Sequence, residues 1–243
     1  MAVRLENYLF RSDVGTYKEI LELIENGNVR VNGVVQKDNN FKVDAASDFV
    51  DVNGKLLNYR KYVYIIANKP EGHSGKPNDR EHKTIMEILP DWCTRRKMKP
   101  VNSLDINMSG LMLITDDDGY YHYHNSYKKQ RTHVYHVQTN KPVTIEHVEA
   151  FASGMKMKHF TGEIATLSKT DSYYRDEYAA RITAREVSYL DIKKMMNTLG
   201  IVVLSVELIA IDDLVLPLEM NEGQWRELNG DEMALLRIAN PYS

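Results

Sequence analysis

The chain has 243 residues, 43% of them hydrophobic and 27% charged, which suits a folded core and excludes a disordered chain. Its 31 basic and 34 acidic residues give a net charge of -3, excluding a uniformly basic nucleic-acid binder and leaving any anion-binding face to local clustering. No apolar run is long enough to span a bilayer, and Met1-Ala2-Val3-Arg4 leads into mixed polar sequence, so the expected address is the cytoplasm, with no membrane association.

Leu5, Tyr8 and Leu9 recur at helical spacing between Arg4 and Arg11 and predict a short first helix. Thr16-Tyr17-Lys18-Glu19 reads as a capping box, ahead of a helix buried through Ile20, Leu21, Leu23 and Ile24 and stopped at Gly27. Val29-Arg30-Val31 alternates as a strand and Asn32-Gly33 turns it. Alternation at Phe41 and Val43, and from Phe49 to Val52, predicts further short strands. Leu57 to Tyr62 reads as a linker. Val63 to Ala67 is a buried strand entering the turn Asn68-Lys69-Pro70-Glu71-Gly72. A polar loop, His73 to Lys83, precedes a helix expected from Thr84, whose partner Glu87 makes a second capping box. Cys93 stands alone, so it forms no internal disulfide and fits a reducing compartment. Arg95-Arg96-Lys97-Met98-Lys99-Pro100 is the densest basic cluster.

Asp105 lies between Leu104 and Ile106 in a stretch of small polar and turn-forming residues, which predicts a loop that holds its carboxylate against the core. Such a loop aspartate is either a reactive group on a rigid scaffold or a turn-maker. Tyr120 to His124 starts a helix, Lys128-Lys129-Gln130-Arg131 forms a second basic cluster, and Thr132 to Val137 alternates as a strand. His122, His124, His133 and His136 include one His-x-His pair, His122 and His124, but no carboxylate or cysteine falls at a usual ligand spacing, so no metal is expected. Ile145, Val148 and Phe151 mark an amphipathic helix stopped at Gly154, and positions 155 to 180 read as an irregular hairpin. Ala180 to Thr183 is a strand. Tyr189 to Leu199 is a helix with Ile192, Met195, Met196 and Leu199 on its apolar face, and Val202 to Ile209 is a strand.

Positions 1–58, with Arg4-Leu5 and the run Ile24-Glu25-Asn26-Gly27-Asn28-Val29-Arg30-Val31-Asn32-Gly33, resemble an S4 RNA-binding domain. The resemblance implies an RNA face around Arg4, Arg11, Lys18 and Arg30, with Glu6, Asp13, Glu19, Glu22 and Glu25 diluting its charge. Positions 62–243 resemble the catalytic domain of the RsuA/RluB/RluE/RluF branch of pseudouridine synthases. Leu104, Asp105, Ser109, Gly110, Leu111, Thr115, Asp117 and Gly119 match its central signature in register. Asn68 to Gly72 matches N-K-P-x-G, and Tyr135 and Val137 fall on K-x-Y-x-V. Glu186, Ile192, Lys193, Lys194, Met195 and Gly200 fit a helical motif, and Gly223 to Leu228 fits the closing G-x-W-R-x-L.

This resemblance implies an α+β fold: a small S4 domain, then a mixed, mostly antiparallel sheet in two halves with the active-site cleft between them. It implies a monomeric synthase that isomerises a uridine in ribosomal or transfer RNA without a cofactor. Asp105 would be the nucleophile, Tyr135 would pack against the uracil, and Lys193 would pair with Asp105. Lys69, Arg95, Arg96 and Lys194 would lie along the RNA. The chain departs from the family where its Gly-Arg pair becomes Asn102-Ser103, where G-x-x-[RH]-Q becomes Val187 to Asp191, and at Leu208. Two readings follow: an active synthase with an altered substrate, or a degenerate one kept as an S4-type RNA-binding or ribosome-associated factor.

Overall fold

The computed structural model describes residues 2–126, 131–152, 165–169, 178–185 and 187–236. Lys128, Lys129 and Gln130 of the second basic cluster, the Gly154 helix stop, most of the segment 155–180 and Glu186 lie outside the described residues. The chain forms two compact units, one containing Met1–Val63 and Pro90–Met98, the other Tyr64–Leu89 and Lys99–Ile238.

In the first unit β1 (Ala2–Arg4) leads directly into α1 (Leu5–Arg11), followed by α2 (Tyr17–Glu25), β2 (Val29–Val31), β3 (Val34–Val35), β4 (Lys42–Asp44), β5 (Val50–Val52) and β6 (Lys55–Leu56). The capping box expected ahead of α2 is formed: the Thr16 amide donates to the Glu19 carboxylate at 2.7 Å and the Glu19 amide to the Thr16 hydroxyl at 3.4 Å. Gly27 stops the helix at φ +73. The strands pair antiparallel in the order β3-β2-β5-β6, with β1 against β4 apart from them. Leu5, Leu9, Ile20, Ile24, Val29, Val31, Val43 and Val50 make one core with Tyr8. Each such buried aliphatic side chain contributes roughly 1.5–3 kcal/mol.

The helix α3 (Asp91–Arg95) belongs to this unit, and Arg96 holds it there. Its buried guanidinium donates to the carbonyls of Arg11 at 2.7 Å and Arg60 at 2.8 Å and faces Asp13. The expectation that Arg96 meets RNA is thereby corrected: the side chain is 5% exposed and its donors are spent on main-chain acceptors.

The second unit is built on one sheet. β7 (Tyr64–Lys69) is buried at every position, the mark of a central strand. After the loop that follows β7, the expected helix from Thr84 is a single 3-10 turn, Ile85–Ile88. Leu89, immediately before Pro90, is extended (φ -91, ψ 154), as the proline ring requires, and ends the turn. Next come β8 (Lys99–Pro100), β9 (Ser109–Thr115), α4 (Asp118–Ser126), β10 (His133–Thr139), α5 (Ile145–Ala152), β11 (Ala165–Lys169) and β12 (Ala179–Ala184). The unit closes with α6 (Tyr189–Thr198), β13 (Val203–Ile211), β14 (Leu214–Val215), β15 (Trp225–Glu227) and α7 (Gly230–Leu235).

The strand order is β11-β12-β10-β13-β9-β7-β15, with β14 on β13 and β8 on β9. Among the described residues every neighbour is antiparallel except β13 and β9. These run parallel through the pairs Glu207 with Ser109 and Leu208 with Gly110. The fold is therefore α+β, with a mixed, mostly antiparallel sheet whose two halves meet at that short parallel seam.

Candidate active site

Asp105 lies four residues before β9, in a loop pinned from both sides by main-chain bonds. The Gly72 amide donates to the Ile106 carbonyl at 2.8 Å and the Gly75 amide to the Leu104 carbonyl at 3.2 Å, so the turn after β7 grips the residues flanking Asp105. A Cβ on Gly75 would sit 2.6 Å from the Leu104 nitrogen, a spacing only glycine allows. Upstream, the Asn102 side chain mimics a strand. Its amide donates to the Leu111 carbonyl at 3.0 Å, and its oxygen accepts from the Leu113 amide at 2.8 Å. Leu104 and Met108 are buried, anchoring the loop to the core.

The Asp105 carboxylate itself is exposed, which corrects the expectation that it is held against the core. One oxygen accepts from the Asn107 amide and side chain, each at 3.1 Å, and the loop opens on a cleft of about 710 Å³. That cleft is also lined by Ser103, Val187, Ser188 and the loop from Ser74 to His82. A recess of about 190 Å³ shares Ser103, Leu104 and Val187 with it and contains Tyr135, His124, Asn125 and Leu208. Tyr135 is 3% exposed, pairs in register with Leu208, and its hydroxyl reaches the Val187 carbonyl at 3.4 Å. Asp105 and Tyr135 thus occupy adjoining cavities with a common wall.

The cation expected beside Asp105 differs. Lys193, half-buried on α6, places its ammonium 5.3 Å from the Tyr189 ring centroid. Among the described residues no ion pair joins it to Asp105. Lys69, expected at the RNA surface, is instead wholly buried, with its ammonium donating to the carbonyls of Pro70 at 3.0 Å and His73 at 2.6 Å. Burial pulls the Lys69 ammonium down to about 8, against the raising influence of Glu222, Asp105 and Glu71. Lys69 is therefore an internal positive charge in the field of Asp105 and is withdrawn from direct RNA contact. Its neighbour Asn68 has a local reason too: its side-chain amide donates to the Met220 carbonyl at 2.8 Å and ties β7 to the turn before β15.

Several other expected site residues are exposed: Arg4, Lys18, Arg30 and Arg95 on the first unit and Lys194 on the second. Arg11 is half-buried, its guanidinium 5.8 Å from the Tyr62 ring centroid. Ser188, which departs from the family motif, caps α6 instead. Its hydroxyl donates to Asp191 at 2.6 Å and accepts from the Asp191 amide at 3.2 Å. Asp117 caps α4 through the Tyr120 amide at 3.0 Å while accepting the Tyr64 hydroxyl at 2.6 Å. His124, His133 and His136 are buried. Burial, with Arg131 and His133 nearby, pulls His124 down to about 3, so its imidazole is neutral at physiological pH.

A family model described as S4 domain matches residues 3–50. The chain is 28% identical over 240 residues to the "Uncharacterized RNA pseudouridine synthase YtzG" of Bacillus subtilis, covering 96% of this chain and 98% of that one. It is 28% identical over 232 residues to the "Ribosomal small subunit pseudouridine synthase A" of Pseudomonas aeruginosa, covering 95% and 99%. Among solved structures, one described as "Crystal structure of pseudouridylate synthase" superposes with a TM-score of 0.62 at 25% identity, over 96% of this chain and 99% of that one. With an S4 domain ahead of the synthase-type sheet, and with this likeness along nearly its whole length, the chain is similar throughout to S4-bearing RNA pseudouridine synthases.

Proposed function

We propose that the chain isomerises a uridine in ribosomal RNA, with Asp105 as the nucleophile. The observation that carries this reading is a carboxylate presented to an open cleft of about 710 Å³ by a loop whose two neighbouring carbonyls are fixed by main-chain hydrogen bonds. The ribosomal substrate is inferred from the relative named as a small-subunit synthase. Positions Arg4, Arg11, Lys18, Arg30, Arg95 and Lys194 supply RNA-facing charge in this reading.

The reaction breaks the bond from ribose C1′ to uracil N1 and re-forms the link through uracil C5; the C5 proton is released to solvent and N1 takes up a proton in its place. As an isomerisation it needs no oxidant, reductant or group donor, so no cofactor is called for; we take the chain to act as a monomer in the cytoplasm. The base must leave its stack, at a cost of a few kcal/mol, and Tyr135 at the shared wall offers a ring to receive it. Asp105 attacks, and Lys69 supplies a buried positive charge in its field; Lys193 on α6 is the further cation assigned to the site in this reading.

Tritium release from ribosomal RNA labelled at uracil C5 tests this directly. Wild type releases tritium and Asp105→Asn does not, while both bind the RNA equally. Equal release by both variants removes Asp105 from the chemistry. Binding without release from any RNA favours the non-catalytic S4-type factor.

A further inference from the structure

Among the described residues, the wall of the large cleft that carries Asp105 and Ser103 has no positive charge, and neither do Val187 and Ser188. Its lining includes Asp79, Glu81 and Asp105, whose carboxylates would repel the phosphates on either side of a target nucleotide. Among the described residues only two in the lining carry a permanent positive charge, Lys76 and Arg80, and both come from the loop between Ser74 and His82.

That loop is built around Asp79. Its carboxylate accepts from the amides of Glu81 at 3.0 Å and His82 at 3.2 Å and lies 3.3 Å from the His82 ring nitrogen. At the base of the loop the Lys76 amide donates to the Ser74 hydroxyl at 3.2 Å, and the Ser74 amide to the Lys83 carbonyl at 2.7 Å. Arg80 follows Asp79 and precedes the two amides that Asp79 holds, so its backbone is fixed while its side chain is exposed. Among the described residues its guanidinium has no ion pair. A planar, permanently charged fork without a protein partner suits bidentate binding of phosphate.

We propose that Arg80 grips the phosphate beside the target uridine, so that the Asp79-centred loop, not the Asp105 wall, supplies the RNA-holding charge of the cleft. The proposal rests on the synthase reading above. Arg80 is a substrate-positioning residue, Lys76 adds a weaker point charge, and the neutral Ser103 opposite leaves room for the same phosphate to be held from either wall.

The test uses the full chain and protein-free small-subunit ribosomal RNA labelled with tritium at uracil C5, with release kinetics and RNA affinity measured across a salt series. Arg80→Ala is expected to lower kcat/KM about ten- to a hundredfold, the loss of a charge-assisted hydrogen-bond pair. It is also expected to reduce the slope of log affinity against log salt by about one, the signature of one lost phosphate contact. Arg80→Lys keeps the slope but recovers only part of the rate. Ser103→Arg placed in the Arg80→Ala background recovers both rate and slope from the opposite wall. An unchanged slope and rate in Arg80→Ala, with release still abolished by Asp105→Asn, overturns the Arg80 assignment and leaves the synthase reading standing. If wild type releases no tritium, the synthase reading fails, and the salt slope on the same RNA still decides whether Arg80 meets a phosphate.

Discussion

Gly110 runs so close to Leu208 that a Cβ there would collide with the Leu208 carbonyl oxygen and lie 2.6 Å from its nitrogen. Gly110 also has φ +112, a conformation other residues rarely adopt. This contact is the parallel seam joining the two halves of the sheet, with the Asp105 loop on one side and the partner strand of Tyr135 on the other. Gly110→Ala should therefore cost about 3 kcal/mol or more by urea unfolding, from strain and a backbone clash together. Tritium release should fall even under conditions where the variant remains folded.

Lys69 gives opposite pH trends for stability and activity. Its ammonium is near 8 in the folded chain against an ordinary value of 10.5, so above pH 8 the unfolded chain holds more protons and this group adds stability as pH rises toward 10.5. Below about pH 8 it is charged in both states, and its full burial penalty stands. Activity should run the other way, because deprotonation removes the positive charge near Asp105. We expect kcat/KM for tritium release to fall about tenfold per pH unit above pH 8. Lys69→Met should be slower and lack that alkaline limb; a limb that persists in the variant would assign it to another group.

His124 should make the second unit acid-labile. Its Nδ1 is buried without a hydrogen-bond partner among the described residues, and its pKa lies near 3 against an ordinary 6.5. The stability it contributes is complete above pH 6.5 and is lost as pH falls toward 3, since only the unfolded chain takes up the proton. Urea midpoints measured between pH 7 and 4 should drop more steeply for wild type than for His124→Gln. Parallel curves would show that other groups carry the acid transition.

Arg95 and Arg96 should separate cleanly although adjacent. Arg96→Ala removes the guanidinium that donates to the carbonyls of Arg11 and Arg60 and should cost about 2–4 kcal/mol in unfolding experiments, with no change in the salt slope of RNA binding. Arg95→Ala should leave stability within about 0.5 kcal/mol, as for ordinary surface positions. If Arg95 faces RNA as proposed, its loss should lower the salt slope.

The helices and long strands were legible because their signals are local. The Thr16 and Glu19 capping box, the apolar stripe of α6 and the unbroken buried run of β7 each need only neighbouring residues. β1, β8 and β14 were not, since two or three residues carry no periodicity and exist only through a partner strand. The Ser188 and Asp191 box that starts α6 was written in the sequence but hidden behind the family motif it replaces. At the site, the loop position of Asp105 and the strand position of Tyr135 were legible from motif and order. Lys69 and Arg96 misled, because a cation is buried only when carbonyls are presented to it by the folded chain. For Arg96 one such carbonyl lies 85 positions away.

The grip on the Asp105 loop is made of amides and carbonyls, from Gly72 to Ile106 and from Gly75 to Leu104. Every amino acid supplies the same carbonyl, so substitutions at the exposed positions 103, 105 and 107 change what the loop displays without changing where the loop is. A lineage could thus retune the rim of this site by single steps, replacing charge with hydroxyl or the reverse, and never have to rebuild the position of its carboxylate.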